Sequence, residues 1–366
     1  MMKVLILGNS DTGLYKFRKE LIQALIEDRK EVFLALPQGR YIPLLEKMGC
    51  NFCEISMDRR GMNLFKEIQL LLKYFRLIRR IKPDVVLTYT IKPNIYGGII
   101  CQICHVKYIA NITGLGTAIE RKGVLSGILL FFYHISLRNA SQVFFQNEAN
   151  RMFFREKRVV TKDRIIPGSG VNLEEHCYEE YPKETGLVRF LYVGRIMKDK
   201  GIGELLDGAE QLKKNHSGVF FELAGGYDEE SFRDRIEELE KRGIVKYLGE
   251  QTDIHSLMKA DHAIILPSYH EGLSNVLLEA AACGRPVLTT NVPGCRETFE
   301  EGVSGLGFQP KDSAALVGAV EKFLGLPYNQ RRQMGICGRK KVEREFDRRV
   351  VVSAYMQEIK ASHGNT

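Results

Sequence analysis

No stretch of this chain is long and apolar enough to cross a bilayer. The longest charge-free apolar segment, Val124 to Leu137, falls short of the ~20 residues a spanning helix needs, and it carries Tyr133 and His134. At the start, Met1-Met2-Lys3 runs straight into Val4–Leu7, too short for the core of a secretory signal, so a cytoplasmic protein is expected. Short-period repeats and low-complexity tracts are missing as well. With 27% charged and 44% apolar residues the mixture is ordinarily globular, which excludes extended disorder. Charge of one sign is not strongly in excess. A formal +8 fits a phosphate-bearing substrate, an anionic membrane face or nucleic acid about equally.

Two nucleotide-binding fingerprints are absent. The first loop, Gly8-Asn9-Ser10-Asp11-Thr12-Gly13, is not GxGxxG, and no acidic residue closes the second strand at Leu36-Pro37-Gln38. A Walker A lysine is missing too, which leaves a nicotinamide enzyme or an NTPase weakly supported. What remains is a small-residue turn. It is either a plain tight turn or a place where phosphate or sugar approaches the backbone, with Gly13 as the candidate contact.

The eight cysteines include two CxxC pairs, Cys50/Cys53 and Cys101/Cys104. Zinc knuckles place each pair at a tight turn with glycine nearby. Here the first pair leads into a strand pattern, and the second lies in the apolar helix pattern Ile95–Ile103, where cysteine acts as a small hydrophobe. Buried, reduced thiols and no metal site are expected.

What is present is alternation. Strand patterns at Val4–Leu7, Glu31–Leu36, Asn51–Ile55, Val85–Thr88, Tyr108–Asn111, Val143–Gln146 and Arg164–Ile166 are separated by helices, including Tyr15 to Asp28 and Leu64 to Ile81. After the charged, aperiodic segment Glu174–Thr185, strands recur at Val188–Gly194, Phe221–Ala224, Val245–Leu248, Ala263–Leu266 and Val287–Thr289. Such spacing predicts βαβ units and parallel sheets, and 366 residues exceed one ordinary core. The expected fold class is α/β, with two Rossmann-like domains facing a central cleft. Residues 1–176 and 177–345 form the two domains, and a C-terminal helical stretch, 346–366, crosses back to the first.

The chemistry concentrates in His270-Glu271-Gly272-Leu273-Ser274-Asn275-Val276-Leu277-Leu278-Glu279. Ala263–Leu266 predicts a buried strand before it, and Leu273 to Cys283 a helix after it, ended by Gly284 and Pro286. Glu271 then lies where strand passes into helix, the side of an open α/β sheet where ligands bind. The unpaired N–H groups of the first helical turn welcome an anion, and Gly272, Leu273 and Ser274 would offer theirs to phosphate or sugar oxygens. Glu279, inside an apolar helix, needs hydroxyl or amide partners, as a ribose would supply. Glu271 would meet the transferred sugar; its alternative is a charge answering the helix dipole, worth about 0.3–1 kcal/mol.

Gly194-Arg195-Ile196-Met197-Lys198-Asp199-Lys200-Gly201 lies at the end of the strand Val188–Gly194. Arg195 can fork onto phosphate oxygens and Lys200 adds a compact charge, although a solvated basic loop is the common fate of such runs. Two cations and two carboxylates at adjacent strand ends would seat a nucleotide diphosphate and offset the charge that builds as it leaves.

The spacings Gly194-Arg195-x4-Lys200-Gly201 and Glu271-x7-Glu279 resemble the retaining glycosyltransferases of family 4, which have the GT-B fold. The resemblance implies that Arg195 and Lys200 hold the donor diphosphate, Glu271 the donor sugar and Glu279 the ribose. It also implies retention of anomeric configuration and no need for a cofactor or divalent metal. Met57-Asp58-Arg59-Arg60-Gly61, the stretch Tyr89 to Gly97, and Asn111-Ile112-Thr113-Gly114-Leu115-Gly116 resemble a bacterial subgroup. Its members extend undecaprenyl-diphosphate-linked sugars for capsule, O-antigen or N-glycan assembly, with UDP-N-acetylhexosamine or UDP-hexuronate donors. Where many relatives carry a histidine after the strand ending at Asn111, this chain has none, and Asn111 or Thr113 becomes the candidate for its role.

A UDP-sugar donor and a polyprenyl-diphosphate-linked saccharide acceptor are thus the expected partners, and nucleic acid is not. Lys16, Arg18, Arg59, Arg60 and Lys92 are candidates for the acceptor diphosphate, Arg59 and Arg60 being equally readable as a solvated turn. Val124–Leu137, with adjacent Phe131, Phe132 and Tyr133, is expected to lie in the interface of an anionic membrane rather than as a buried core helix. The protein is therefore placed peripherally on the inner face of the cell membrane. Two other readings share the fold: a non-catalytic sugar-nucleotide-binding regulator and a UDP-sugar epimerase.

Overall fold

The computed structural model describes residues 1–58, 61, 63–114 and 123–364. The chain divides into two compact units, one running from Met1 to Ser169 and resuming at Arg348, the other Gly170–Asp347. The divisions fall at 169/170 and 347/348, not at the expected 176/177 and 345/346. The reason is local to the second unit. The aperiodic segment Glu174–Thr185, whose composition suggests a linker, is fastened there by Arg285, whose buried guanidinium donates to the carbonyls of Glu179 and Glu180 at 2.9 Å each. Tyr181 is buried beside it.

The first unit holds a seven-stranded parallel sheet in the order β3-β2-β1-β4-β5-β6-β7. Its strands are β1 (Lys3–Leu7), β2 (Glu31–Leu36), β3 (Asn51–Glu54), β4 (Val85–Tyr89), β5 (Lys107–Ile112), β6 (Gln142–Phe145) and β7 (Asp163–Ile165). Central strands are buried on both faces, so they read as continuous apolar runs such as Val4-Leu5-Ile6-Leu7. The helix Asp11–Glu27 starts earlier than its apolar pattern announces, because Ser10 caps it and accepts from the Gly13 N–H. Pro93–Gly97 forms one π-helical turn before the helix Gly98–Ile103. The last helix, Arg348–Gly364, buries Val351, Ala354, Tyr355 and Ile359 in the core that β1, β2 and β4 share.

The second unit holds a six-stranded parallel sheet in the order β10-β9-β8-β11-β12-β13. Here β8 is Val188–Val193, β9 Val219–Ala224, β10 Val245–Gly249, β11 Ala263–Leu266, β12 Val287–Thr290 and β13 Gly305–Phe308. β13 and the helix Ser313–Leu324 carry no strong sequence signal of their own. The strand is short and glycine-rich, and its register against β12 is what defines it. In both sheets the order reverses beside the first strand, between β1 and β4 and between β8 and β11. At such a switch point the neighbouring loops diverge to opposite faces and leave a crevice for a ligand.

Candidate active site

The loops after β8 and β11 flank the switch point of the second sheet, and they are sewn together. β11 pairs with β8 through Ala263↔Phe190 and Ile264↔Leu191, which sets the two loops side by side. The Tyr269 N–H donates to the Asp199 carbonyl at 3.0 Å, and the Tyr269 hydroxyl to Glu204 Oε1 at 2.6 Å. Lys200 Nζ reaches Glu271 Oε1 at 2.5 Å, and the Ser268 hydroxyl donates to the same oxygen at 2.8 Å. The Gly201 backbone has φ +70°, and a Cβ there would stand 2.0 Å from the Pro267 carbonyl oxygen. Only glycine lets the two loops meet this closely.

Glu271 is thus an ion-pair partner of Lys200 and an acceptor for Ser268, and its charge is not spent on the helix start. The helix Asn275–Ala282 begins at Ser274, which is buried and extended at φ −75°, ψ 105°. One expectation fails at this point. The Ser274 N–H donates to the Gly294 carbonyl at 2.8 Å, so it is not among the donors left for a ligand, and Ser274 can offer only its hydroxyl. Leu273 turns its side chain into a small apolar cluster with Val171, Leu278 and Val342. Gly294, on the turn after β12, closes the other flank: at φ +85°, a Cβ would lie 2.5 Å from the Glu271 carbonyl oxygen.

Arg195 is exposed at the tip of the β8 loop, and it pairs with Asp228 Oδ2 at 2.8 Å. Beneath it, the Tyr192 hydroxyl donates to the Arg195 carbonyl at 2.8 Å, and burial pushes that phenol up. Burial also pushes the Cys295 thiol up to about 12, with the Glu271 carboxylate adding to the rise. Both groups stay neutral supports. Glu279 projects from the exposed side of its otherwise buried helix, with His176 Nε2 at 3.9 Å from Oε1. Sequence reasoning did not single out Ser268, Tyr269, Glu204, Asp228, His176 or Gly294. Only Gly294 carried a local signal, the Pro293-Gly294 turn dipeptide.

The candidates in the first unit fare differently. Arg18 is buried, with its guanidinium 4.9 Å from the Tyr89 ring centroid and 6.0 Å from that of Tyr355. It is a core cation and not an exposed diphosphate ligand. Asn111 is also fully buried, donating to the Tyr355 hydroxyl at 2.6 Å while its carbonyl accepts from Asn94 at 2.8 Å. Lys92 is spent on Glu67 at 2.5 Å and on the Gly61 carbonyl at 2.8 Å. Lys16 is half-buried, and its carbonyl accepts from Arg348 at 3.1 Å. Thr113 stays half-exposed just past β5, and Gly13 lies in the first turn of Asp11–Glu27 with room beside it. Arg59 and Arg60 lie outside the described residues.

The helix Val124–Leu137 buries Ser126, Tyr133, Ser136 and Leu137 on one side and exposes Val124, Leu125, Ile128, Phe131 and Phe132 on the other. It is therefore not a core helix. The helix Leu64–Ile81 similarly exposes Leu64, Phe65, Ile68 and Leu72, alongside exposed Lys66, Lys73 and Arg76. Both helices pack against the Pro93–Gly97 turn.

Residues 178–341 match the family of glycosyl transferases group 1, and residues 3–147 match glycosyl transferase 4-like. The chain is 27% identical over 332 residues to the N,N'-diacetylbacillosaminyl-diphospho-undecaprenol alpha-1,3-N-acetylgalactosaminyltransferase of Campylobacter jejuni, covering 86% of this chain and 87% of that one. It is 26% identical over 328 residues to the capsular polysaccharide biosynthesis glycosyltransferase CapM of Staphylococcus aureus, covering 84% and 85% of the two. Among solved structures, Anabaena HepE in complex with UDP and glucose superposes with a TM-score of 0.78 at 19% identity, over 99% of this chain and 100% of that one. Likeness at that identity carries the fold.

Proposed function

The chain belongs to the glycosyltransferases, with a 4-like domain followed by a group 1 domain in the GT-B fold, and on that premise we propose that it moves a sugar from a UDP-sugar to a polyprenyl-diphosphate-linked saccharide with retention of configuration. The observation that carries this reading is the Lys200–Glu271 pair at the switch point, with Arg195 at the tip of the same loop as Lys200. Arg195 and Lys200 hold the donor diphosphate, Glu271 orients the sugar and Glu279 takes the ribose hydroxyls. Names of relatives that act on undecaprenyl-diphosphate sugars support the acceptor class. The transferred sugar is an N-acetylhexosamine or a hexuronate.

In the reaction, the bond from the anomeric carbon to the β-phosphate oxygen breaks and the acceptor hydroxyl oxygen bonds that carbon from the same face. The acceptor proton passes to the departing phosphate. Negative charge grows on the diphosphate as the bond stretches, and half-buried Lys200, with exposed Arg195 closing on the same group, stabilises that charge more than it stabilises the bound donor. The two cations fill the place a divalent ion takes in other transferases, so turnover persists in EDTA. Glu279→Ala and Lys200→Ala each cut transfer from a UDP-sugar panel to a short-chain undecaprenyl-diphosphate-linked saccharide by roughly two orders of magnitude without unfolding the protein. Near-normal turnover in both variants, or a product of inverted configuration, overturns the reading. Donor hydrolysis by the parent protein separates an enzyme from a binding regulator, and transfer to the lipid acceptor separates it from an epimerase.

The apolar faces of Val124–Leu137 and Leu64–Ile81, with Lys66, Lys73 and Arg76 beside them, form the surface that meets the anionic inner leaflet. This places the enzyme at its lipid-borne acceptor.

A further inference from the structure

We propose that Cys177, Glu179 and His255 form a binding site for a zinc-like divalent cation on the second unit, separate from the Lys200–Glu271 pair. Cys177 Sγ lies 3.7 Å from His255 Nε2 and 3.8 Å from Glu179 Oε1, and that carboxylate oxygen lies 3.1 Å from His255 Nε2. Zinc bonds of about 2.3 Å to sulfur and about 2.0–2.1 Å to nitrogen or oxygen, at tetrahedral angles, set ligand atoms roughly 3.3–3.6 Å apart. Three protein atoms already stand within a few tenths of an ångström of that triangle. Thiolate, imidazole and carboxylate are also the donor set that this borderline-soft ion prefers. Cys177 is exposed, so the ion has a way in and a water has room as the fourth ligand.

Two further features mark the cluster as built. The second ring nitrogen of His255, Nδ1, lies 3.1 Å from the buried Cys283 sulfur. With Nδ1–H donating to that sulfur, Nε2 would turn its lone pair to a metal, and the contact orients the ring as a second partner orients a ligating histidine. The backbone beneath the ligands is held by Arg285, which donates to Met258 and Lys259 beside His255 and to Glu179 and Glu180 beside Cys177. The ligands therefore keep their positions before the ion arrives. Lys259 Nζ takes the other Glu179 oxygen at 3.0 Å, which leaves Oε1 facing the thiol and the imidazole.

A neighbouring set, His176, His255 and Cys283, also brings its ligand atoms within 4.8 Å of one another. It would use a buried sulfur and no carboxylate ligand, and the carboxylate beside it, Glu279 at 3.9 Å from His176 Nε2, is the one proposed for the ribose. The exposed set is the better match. A bound ion would clip the start of the second unit to the helix Ile254–Ala260, a fastening and not a step in catalysis.

Titration of the chelator-dialysed full-length protein with cobalt, read by the thiolate-to-metal absorption band, tests the site. One equivalent of cobalt is expected to bind with that band, to be displaced by zinc, and to raise the melting temperature. Cys177→Ser removes the band, His255→Gln and Glu179→Gln each weaken binding at least about tenfold, and Cys283→Ala keeps the band. Cys337→Ser, away from the cluster, changes nothing. Should His255→Gln fail to fold, Cys177→Ser and Glu179→Gln decide the matter, since Cys177 is exposed, Glu179→Gln keeps the side-chain shape, and both leave the Arg285 contacts to backbone carbonyls in place. Absence of saturable binding, or a band lost in Cys283→Ala and kept in Cys177→Ser, overturns the assignment.

Discussion

Lys200 Nζ donates to Glu271 Oε1 at 2.5 Å, and this one contact joins the loop after β8 to the loop after β11 across the switch point of the sheet. Each side chain keeps only about a fifth of its surface exposed, at 21% and 16%, so neither charge is well solvated without the other. Removing one leaves the other poorly paired, which costs more than the pair contributes. Lys200→Ala is expected to lower kcat/KM for a UDP-sugar by roughly two orders of magnitude, about 3 kcal/mol of barrier. The Lys200→Ala/Glu271→Gln double variant should lose clearly less than the sum of the two single losses. Strictly additive losses in steady-state kinetics would mean the two residues act separately.

Gly294 holds the opposite flank of the same loop. With φ at +85° and a Cβ position 2.5 Å from the Glu271 carbonyl oxygen, Gly294→Ala must push the Glu271 loop away from β12. A strained backbone costs about 1–3 kcal/mol, and the displacement moves Glu271 from Lys200. Turnover and melting temperature are expected to fall together. Gly302→Ala, also at positive φ but with open space around it, should affect stability alone. Equal activity in the two variants would remove Gly294 from the positioning of Glu271.

Acid titration should expose a pair of buried groups that act in opposite senses. Burial first, and then the Glu222 charge, pushes Asp261 up from 3.8 to about 7. Its carboxylate oxygens have no hydrogen-bond partner. The folded state prefers the proton that the unfolded chain releases near pH 4, so this residue lowers stability as pH rises to about 7. Burial pushes His262 down from 6.5 to about 4, and its Nδ1 accepts the Arg189 N–H at 3.2 Å. The folded state keeps that ring neutral, so its contribution is full above 6.5 and lost as pH falls toward 4. Asp261→Asn therefore melts higher than the parent at pH 8, and the advantage shrinks toward pH 4. Melts across that range check this, and an advantage independent of pH contradicts it.

Exposed Ile128 and Phe131 contribute little to folding because about half or more of their area already faces solvent, 47% and 61%. Ile128→Glu/Phe131→Glu should leave the melt within about 0.5 kcal/mol of the parent and reduce co-sedimentation with anionic liposomes several-fold. Unchanged co-sedimentation would mean that this face is not the membrane contact.

The architecture was readable because parallel strands buried on both faces announce themselves as apolar runs; the helix Leu64–Ile81 was bounded to the residue, and the charge-free apolar segment Val124–Leu137 coincides with a helix. The glutamates and the basic loop were readable from spacing, since strand-end position does not depend on side-chain detail. What escaped was long-range pairing. Arg18 and Lys92 look like free cations in one dimension, yet Arg18 packs over Tyr89 and Tyr355, and Lys92 meets a glutamate on another helix. Nothing within a few residues of either position encodes those partners. The same holds for Arg285, which reads as one more basic residue and is the fully buried clasp of the second unit.

The last helix gives the first unit a core drawn from both ends of the described chain: Tyr355 packs against Phe144 and Tyr89 and binds Asn111. On a ribosome, every residue of Gly170–Asp347 is synthesised before Tyr355 exists. The first unit thus keeps a gap beside β4 and β6 until the last helix is made, although its strands are synthesised before any residue of the second unit. The sheet made first waits on the helix made last.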